Sequence, residues 1–136
     1  MKLSDFQIRE FYNYKIRSVV INNIEMFLVT ELINQYNKVN KTNKKLKHYL
    51  ENKQTRDFLN GWCIEEGYSS SHPPPDNQNH WNIPSVIQFI EIENNLPNSQ
   101  NKCYIVCEEV LNSILMWIDP TFAAKVFKFL RQCRAS

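Results

Sequence analysis

The spacing of hydrophobic and polar positions changes several times along the chain, and each change marks an element. Residues 14–20 and 24–29 are rich in β-branched and aromatic side chains and are separated by Asn22-Asn23, the pattern of an N-terminal hairpin. Thr30 is placed to cap a short helix carrying Leu32, Ile33 and Tyr36. With Thr42 or Asn43 as the next cap, Leu46, Tyr49 and Leu50 share one helical stripe. A step of about 100° per residue sets Lys41, Lys44 and His48 opposite that stripe, with Lys45 and Lys47 on its flanks. A following helix capped by Thr55, with Asp57 near its positive end, would bury Phe58, Leu59, Trp62 and Cys63. Two short helices joined by about three residues form a helix-turn-helix-sized unit.

Residues 67–84 are dominated by Ser, Pro and Asn and read as a surface loop or partly disordered insertion. Residues 86–92 and 103–106 are strand patterns, joined through Asn94 to Lys102 by a polar tip that is shaped to act as a wing. Val110, Leu111, Ile114, Leu115 and Ile118 repeat with helical period. Asp119-Pro120 breaks that helix and starts the next, with Asp at the cap and Pro in the first turn. There Phe122, Ala123, Val126, Phe127 and Leu130 face inward, while Lys125, Lys128 and Arg131 lie away from the stripe. The pattern predicts an α+β fold: one compact domain over residues 1–136, with two β-hairpins packed against about five helices, and the 67–84 loop as an insertion.

Charge sharpens the picture. Formal net charge is only +2, yet Lys38, Lys41, Lys44, Lys45, Lys47, Lys53 and Arg56 stand against a single acid, Glu51, before Asp57. A local positive field of this kind attracts a polyanion even when the whole chain is nearly balanced. Lysines would meet phosphates as point charges, with Asn40, Thr42, Asn43 and Asn52 adding hydrogen bonds to phosphate oxygens. The plain alternative is a solvated helix face. Lys rather than Arg dominates, which favours backbone contact over bidentate reading of guanine. His48 fits a DNA-facing hydrogen-bond donor rather than a base. Tyr49 and His48 are candidates for base stacking on a single strand or RNA, although the stripe puts Tyr49 inside.

Other chemistries find little support. Cys63, His72, His80, Cys103 and Cys107 match no paired metal-ligand spacing, so no metal or other cofactor is expected. On one strand Cys103 and Cys107 would stand about 13 Å apart, too far for a disulfide, so the cysteines read as small buried hydrophobes in a reducing compartment. Only two glycines, Gly61 and Gly67, occur, which argues against a phosphate-cradling loop. There is no HExxH and no G-x-S-x-G elbow, and Glu65-Glu66 and Glu108-Glu109 point to different sides of their helices. The expectation is a non-enzyme without a secretory signal or membrane span.

Two segments carry a family resemblance. One is KTNKKLKHYLEN from Lys41 to Asn52, followed by the threonine-led stretch at Thr55; the other is WIDPTFAAKV from Trp117 to Val126. Together with the N-terminal hairpin they resemble the KilA-N domain of large DNA viruses and bacteriophages, particularly the poxvirus type, over about residues 10 to 132. The resemblance implies a fold related to the fungal APSES DNA-binding domain, in which a helix-turn-helix-like pair and a β-wing engage DNA. It also implies a viral protein of the host cytoplasm, in viral factories. Poxvirus members often carry a RING ubiquitin-ligase module, whose cysteine pattern does not occur here, so ligase activity is not carried over. The family's N-A-T-K-L approach to the first helix stands here as V-T-E-L-I, with Glu31 in place of a lysine.

The leading expectation is a DNA-binding domain that contacts the phosphates of double-stranded DNA. Lys41, Lys44, Lys45 and Lys47 would make the contacts with Asn40, Thr42 and His48, flanked by Lys38 and Arg56, and Asn101 and Lys102 would reach DNA from the wing. Single-stranded DNA or RNA is the other nucleic-acid ligand in view. The alternative is a protein-interaction, adaptor or dimerisation module using Tyr68, Trp81 and the Pro-rich loop as contact points, with a homodimer or a host or viral protein as partner.

Overall fold

A computed structural model of the chain describes residues 1–67, 80–93 and 102–135. After a 3-10 turn at Leu3–Asp5, three strands, β1 (Gln7–Phe11), β2 (Tyr14–Ile21) and β3 (Ile24–Leu28), form an antiparallel meander. The expected Asn22-Asn23 turn is present, with φ of 53° and 67° closing the Ile21↔Ile24 pair. Positive φ at both central residues is the hairpin geometry that asparagine tolerates. Strand β1 precedes the expected hairpin and is an addition to it.

Strands β4 (Asn82–Ile83), β5 (Ile87–Glu91) and β6 (Lys102–Val106) form a second antiparallel set. Both expected strand pairs, β2–β3 and β5–β6, are present and are joined with β1 and β4 in one six-stranded sheet of order β1-β2-β3-β6-β5-β4. The two halves meet where β3 pairs with β6 through Phe27↔Val106 and Leu28↔Ile105.

Five helices cover the sheet: α1 (Val29–Asn40), α2 (Leu46–Glu51), α3 (Lys53–Glu65), α4 (Glu108–Ile118) and α5 (Pro120–Ala135). Helix α1 buries Val29, Leu32, Ile33 and Tyr36, a clean i, i+3, i+4, i+7 stripe. It grows directly from β3 with Leu28 at its N-cap and no side-chain cap bond. Thr30 is therefore not the cap; its Oγ1 accepts the Tyr104 N–H at 2.9 Å and ties α1 to β6. Gln35 adds a two-point clamp to β2, accepting from Lys15 N–H at 2.6 Å and donating to the Lys15 carbonyl at 3.0 Å. Arg17 of β2 reaches Glu31 of α1 with its side chain, while Tyr14 packs on Phe122 of α5 at 4.9 Å.

The Asp119-Pro120 break is as expected. Asp119 Oδ1 accepts from Thr121 N–H at 3.0 Å and Phe122 N–H at 3.3 Å, capping α5, while Oδ2 accepts the Tyr36 hydroxyl at 2.8 Å. The Tyr36 bond and these amides hold the Asp119 carboxyl below its ordinary pKa. Burial and the same bond push the Tyr36 phenol up to about 12.

Three expectations for helix ends and loops are corrected. Trp81 is 3% exposed, so it is core and not a surface contact point; its N–H donates to the Tyr104 hydroxyl at 3.1 Å. The reason is β4: pairing with β5 turns the end of the supposed loop into a strand and buries Ile83 beside Trp81. Thr55 lies buried inside α3 rather than at its cap, and Asn52 caps instead, accepting Gln54 N–H at 2.9 Å. Phe58, expected inside, is 37% exposed, whereas Leu59 and Cys63 are buried and Trp62 is half-buried.

Charge closes the far side of the sheet. Glu25 accepts from Ser18 Oγ at 2.6 Å and Arg9 Nη1 at 2.7 Å, and Arg134 bridges it, at 3.5 Å, to Glu108, at 2.7 Å. Burial raises the Glu25 pKa, but the Ser18 and Arg9 hydrogen bonds and the Arg9 and Arg134 charges outweigh it and hold the carboxyl below its ordinary value. With its folded pKa lowered, Glu25 stabilises the fold at neutral pH. That contribution disappears as pH falls from about 4.3 through the lowered folded value. Glu25→Gln is expected to flatten the acid limb of stability against pH, read by urea unfolding at stepped pH. Trp81→Ala is expected to cost about 3–5 kcal/mol in the same assay; a loss under about 1 kcal/mol would return Trp81 to the surface.

Candidate nucleic-acid interface

Lys41, Lys44 and Lys45 are displayed by a connection between helices, while Lys38, Lys47 and Arg56 lie on α1, α2 and α3. Lys38 ends α1, and Lys41 follows at its C-cap in left-handed conformation, φ 54° and ψ 44°. Residues 42–45 run outside any helix, and α2 begins only at Leu46, with Lys45 at its N-cap position. The expected caps, Thr42 and Asn43, are not used.

Asn37 explains why. Its Oδ1 accepts from the Thr42 hydroxyl and from Lys44 N–H, both at 2.9 Å, and its Nδ2 donates to the Lys44 carbonyl at 2.8 Å. The Asn37 carbonyl also takes Thr42 N–H at 3.1 Å. One side chain thus supplies partners to Thr42 and Lys44 that a helical turn would otherwise have given, and it holds the segment outside a helix. Sequence reasoning missed this residue because its bonds run five to seven positions forward, outside any helical period.

The predicted contact residues separate into groups. Lys38, Lys41, Lys45 and Arg56 are exposed and make no ion pair among the described residues. Lys44 lies with its Nζ 5.9 Å from the centre of the Trp117 ring, a cation–π contact that leans the connection on α4. Lys47 is exposed and stands 3.8 Å from Glu51; such a loose exposed pair leaves the ammonium largely available. Lys53, outside the predicted set, is paired with Asp57 at 2.9 Å.

Asn40 is exposed, but its Nδ2 is taken up within the domain, donating to the Tyr36 carbonyl at 2.9 Å and the Tyr14 hydroxyl at 3.2 Å. Thr42 has spent its hydroxyl proton on Asn37. His48 is exposed on α2. Tyr49 is 2% exposed and bonds Ser113 at 2.7 Å, so it is no stacking platform. The α2–α3 junction is a single residue, Asn52, which ends one helix and caps the next, in place of the expected three-residue turn.

From the wing, Lys102 opens β6 opposite Glu91 of β5, a register that faces its charge with an acid. Asn101 and the rest of the tip, with Tyr68 and His72, lie outside the described residues. Glu31, where a family lysine was expected, is bound through both oxygens by Arg17 Nε at 2.9 and 3.0 Å.

Metal chemistry finds no site among the described residues: no three His, Cys, Asp or Glu side chains gather. Cys103 and Cys107 are buried, and burial pushes both thiols up to about 11. His80 stacks flat on Phe89 with ring centres 3.7 Å apart. No helix among the described residues is long and apolar enough to cross a membrane.

A family model described as KilA-N domain matches residues 12–136. Comparison with curated proteins and with solved structures gives no match.

Asn37→Ala is expected to free the connection while leaving the core intact. Hydrogen exchange at the Lys44 amide should rise strongly, with global stability lowered by about 1 kcal/mol. Unchanged protection at Lys44 would show that the connection holds its shape without Asn37.

Proposed function

The chain belongs to the KilA-N domain family, generally a family of DNA-binding domains, and from that premise we propose that it binds duplex DNA through the 38–47 segment. The observation that carries this reading is the connection itself. Its cations are exposed, concentrated and held in one shape by Asn37, whereas Arg9, Arg17 and Arg134 elsewhere are neutralised by acids.

A run of lysines held this close repels itself, and a polyanion relieves that repulsion. Lys38, Lys41, Lys45, Lys47 and Arg56 meet phosphates, and Lys44 joins them from its perch on Trp117. With ammonium groups as point charges and no arginine fork in the segment 38–47, contact is to the backbone, so sequence preference is weak. His48 adds a hydrogen bond from the exposed side of α2. The β5–β6 hairpin serves as an accessory wing, with Lys102 and Asn101 reaching the backbone.

Affinity then comes mainly from counterion release, with a log–log salt slope of about −4 to −5 for about five phosphates. Fluorescence anisotropy of a labelled duplex of random sequence across a salt series reads this directly. Lys38→Glu combined with Lys45→Glu is expected to weaken binding and to cut the slope by about two. Stability should stay within about 1 kcal/mol, because both side chains are exposed and unpaired. No duplex binding at low salt would sink the proposal.

A further inference from the structure

We propose that the groove between the β1–β2 turn and α5 is a stacking site for one unpaired nucleotide, with Tyr12 as its base platform and Lys125 and Lys128 as its phosphate contacts. The groove encloses about 490 Å³, within the range of small-molecule sites. Tyr12 is 84% exposed, the most exposed large hydrophobic side chain among the described residues. It occupies the first position of a two-residue turn closed by Phe11↔Tyr14, at φ 52°. Glycine is the ordinary occupant of such a left-handed position, and a bulky aromatic there is strained. The ring is nevertheless not used for packing beyond an edge contact with Phe11 at 4.8 Å. An exposed face held under strain is what a stacking partner would use.

The opposite wall is chemically suited to the same ligand. Phe129, whose ring is 4.8 Å from Phe11, gives an apolar floor, and Gln132 offers an amide for a base edge. Lys125 and Lys128, three positions apart on α5, line the same wall and are exposed. One acid, Glu10, stands on the β1 side, so phosphates run along α5.

Partly buried contacts link the turn to the end of α1 that precedes the basic connection. Tyr14, next to the turn, packs on Phe122 at 4.9 Å and accepts from Asn40, the neighbour of Lys41. On this proposal a single strand leaving a duplex held by residues 38–47 runs to Tyr12 and α5. This rests on the duplex-binding reading above, which supplies the rest of the strand.

The test compares a blunt duplex with the same duplex carrying a short single-stranded thymidine tail, using the full chain. The wild type is expected to bind the tailed duplex more tightly. Tyr12→Gly should weaken tailed binding about tenfold, the scale of one lost base–aromatic stack, and leave blunt binding unchanged. Tyr12→Phe should restore tailed binding. The thermal midpoint of Tyr12→Gly should not fall, since the turn is relieved, so affinity and stability separate. Lys125→Glu with Lys128→Glu should remove the tail advantage. Equal loss on both duplexes, unchanged tailed binding of Tyr12→Gly, or no tail advantage in the wild type would each overturn the groove while leaving the duplex reading in place. Failure of the wild type to bind either duplex would overturn both.

Discussion

Much of the structure converges on the carboxylate of Asp119. It ends α4, caps α5 through two amides and takes the Tyr36 hydroxyl at 2.8 Å. Three helices are therefore fixed to one side chain, and the residue after Tyr36 is Asn37, which shapes the basic connection. A charge-assisted bond of this kind is shorter and stronger than a neutral one. Its position two residues after Trp117, on which Lys44 rests, joins the cap to the basic connection from the other side as well. Core and surface share this hinge.

The sequence made legible what is decided within a few residues. Strands β2 and β3, their Asn22-Asn23 turn, helices α4 and α5, and the Asp119-Pro120 break all follow from local period and turn chemistry. What it concealed is decided at long range. Trp81 looked exposed because its neighbours are polar, but its burial comes from β4 joining β5 and from Tyr104, which lies more than twenty positions on. Strand β1, QIREF, hides behind its charges: Arg9 is acceptable on a covered face only because Ser18 and Glu25 receive it. The candidate site was legible as composition and not as shape. Counting lysines marks the candidate segment, but the helical wheel starts the helix too early: α2 begins at Leu46, after Asn37 has engaged Thr42 and Lys44.

Charges in this domain follow two regimes. Across the sheet and the α5 terminus, Arg9, Arg17 and Arg134 sit against Glu25, Glu31 and Glu108 in partly covered pairs. Between α1 and α2 the cations stand in solvent with weak or absent partners. Since exposed fields decay over about 8 Å at physiological salt, neighbours within the connection still feel one another while the paired side of the sheet does not contribute. A near-neutral protein can in this way present a strongly positive end.

The sheet's central seam has a kinetic meaning. Only Phe27↔Val106 and Leu28↔Ile105 join the two antiparallel halves, and these partners come from opposite ends of the chain. The meander of β1, β2 and β3 closes through short turns and can assemble early, whereas the seam must wait for a long intervening chain to be brought together. Helices α1 and α4 both leave the sheet at or just after those same residues. The local Asn37 bonds can shape the basic connection early, but its seat on α4 through Lys44 and Trp117 waits for the C-terminal part of the chain.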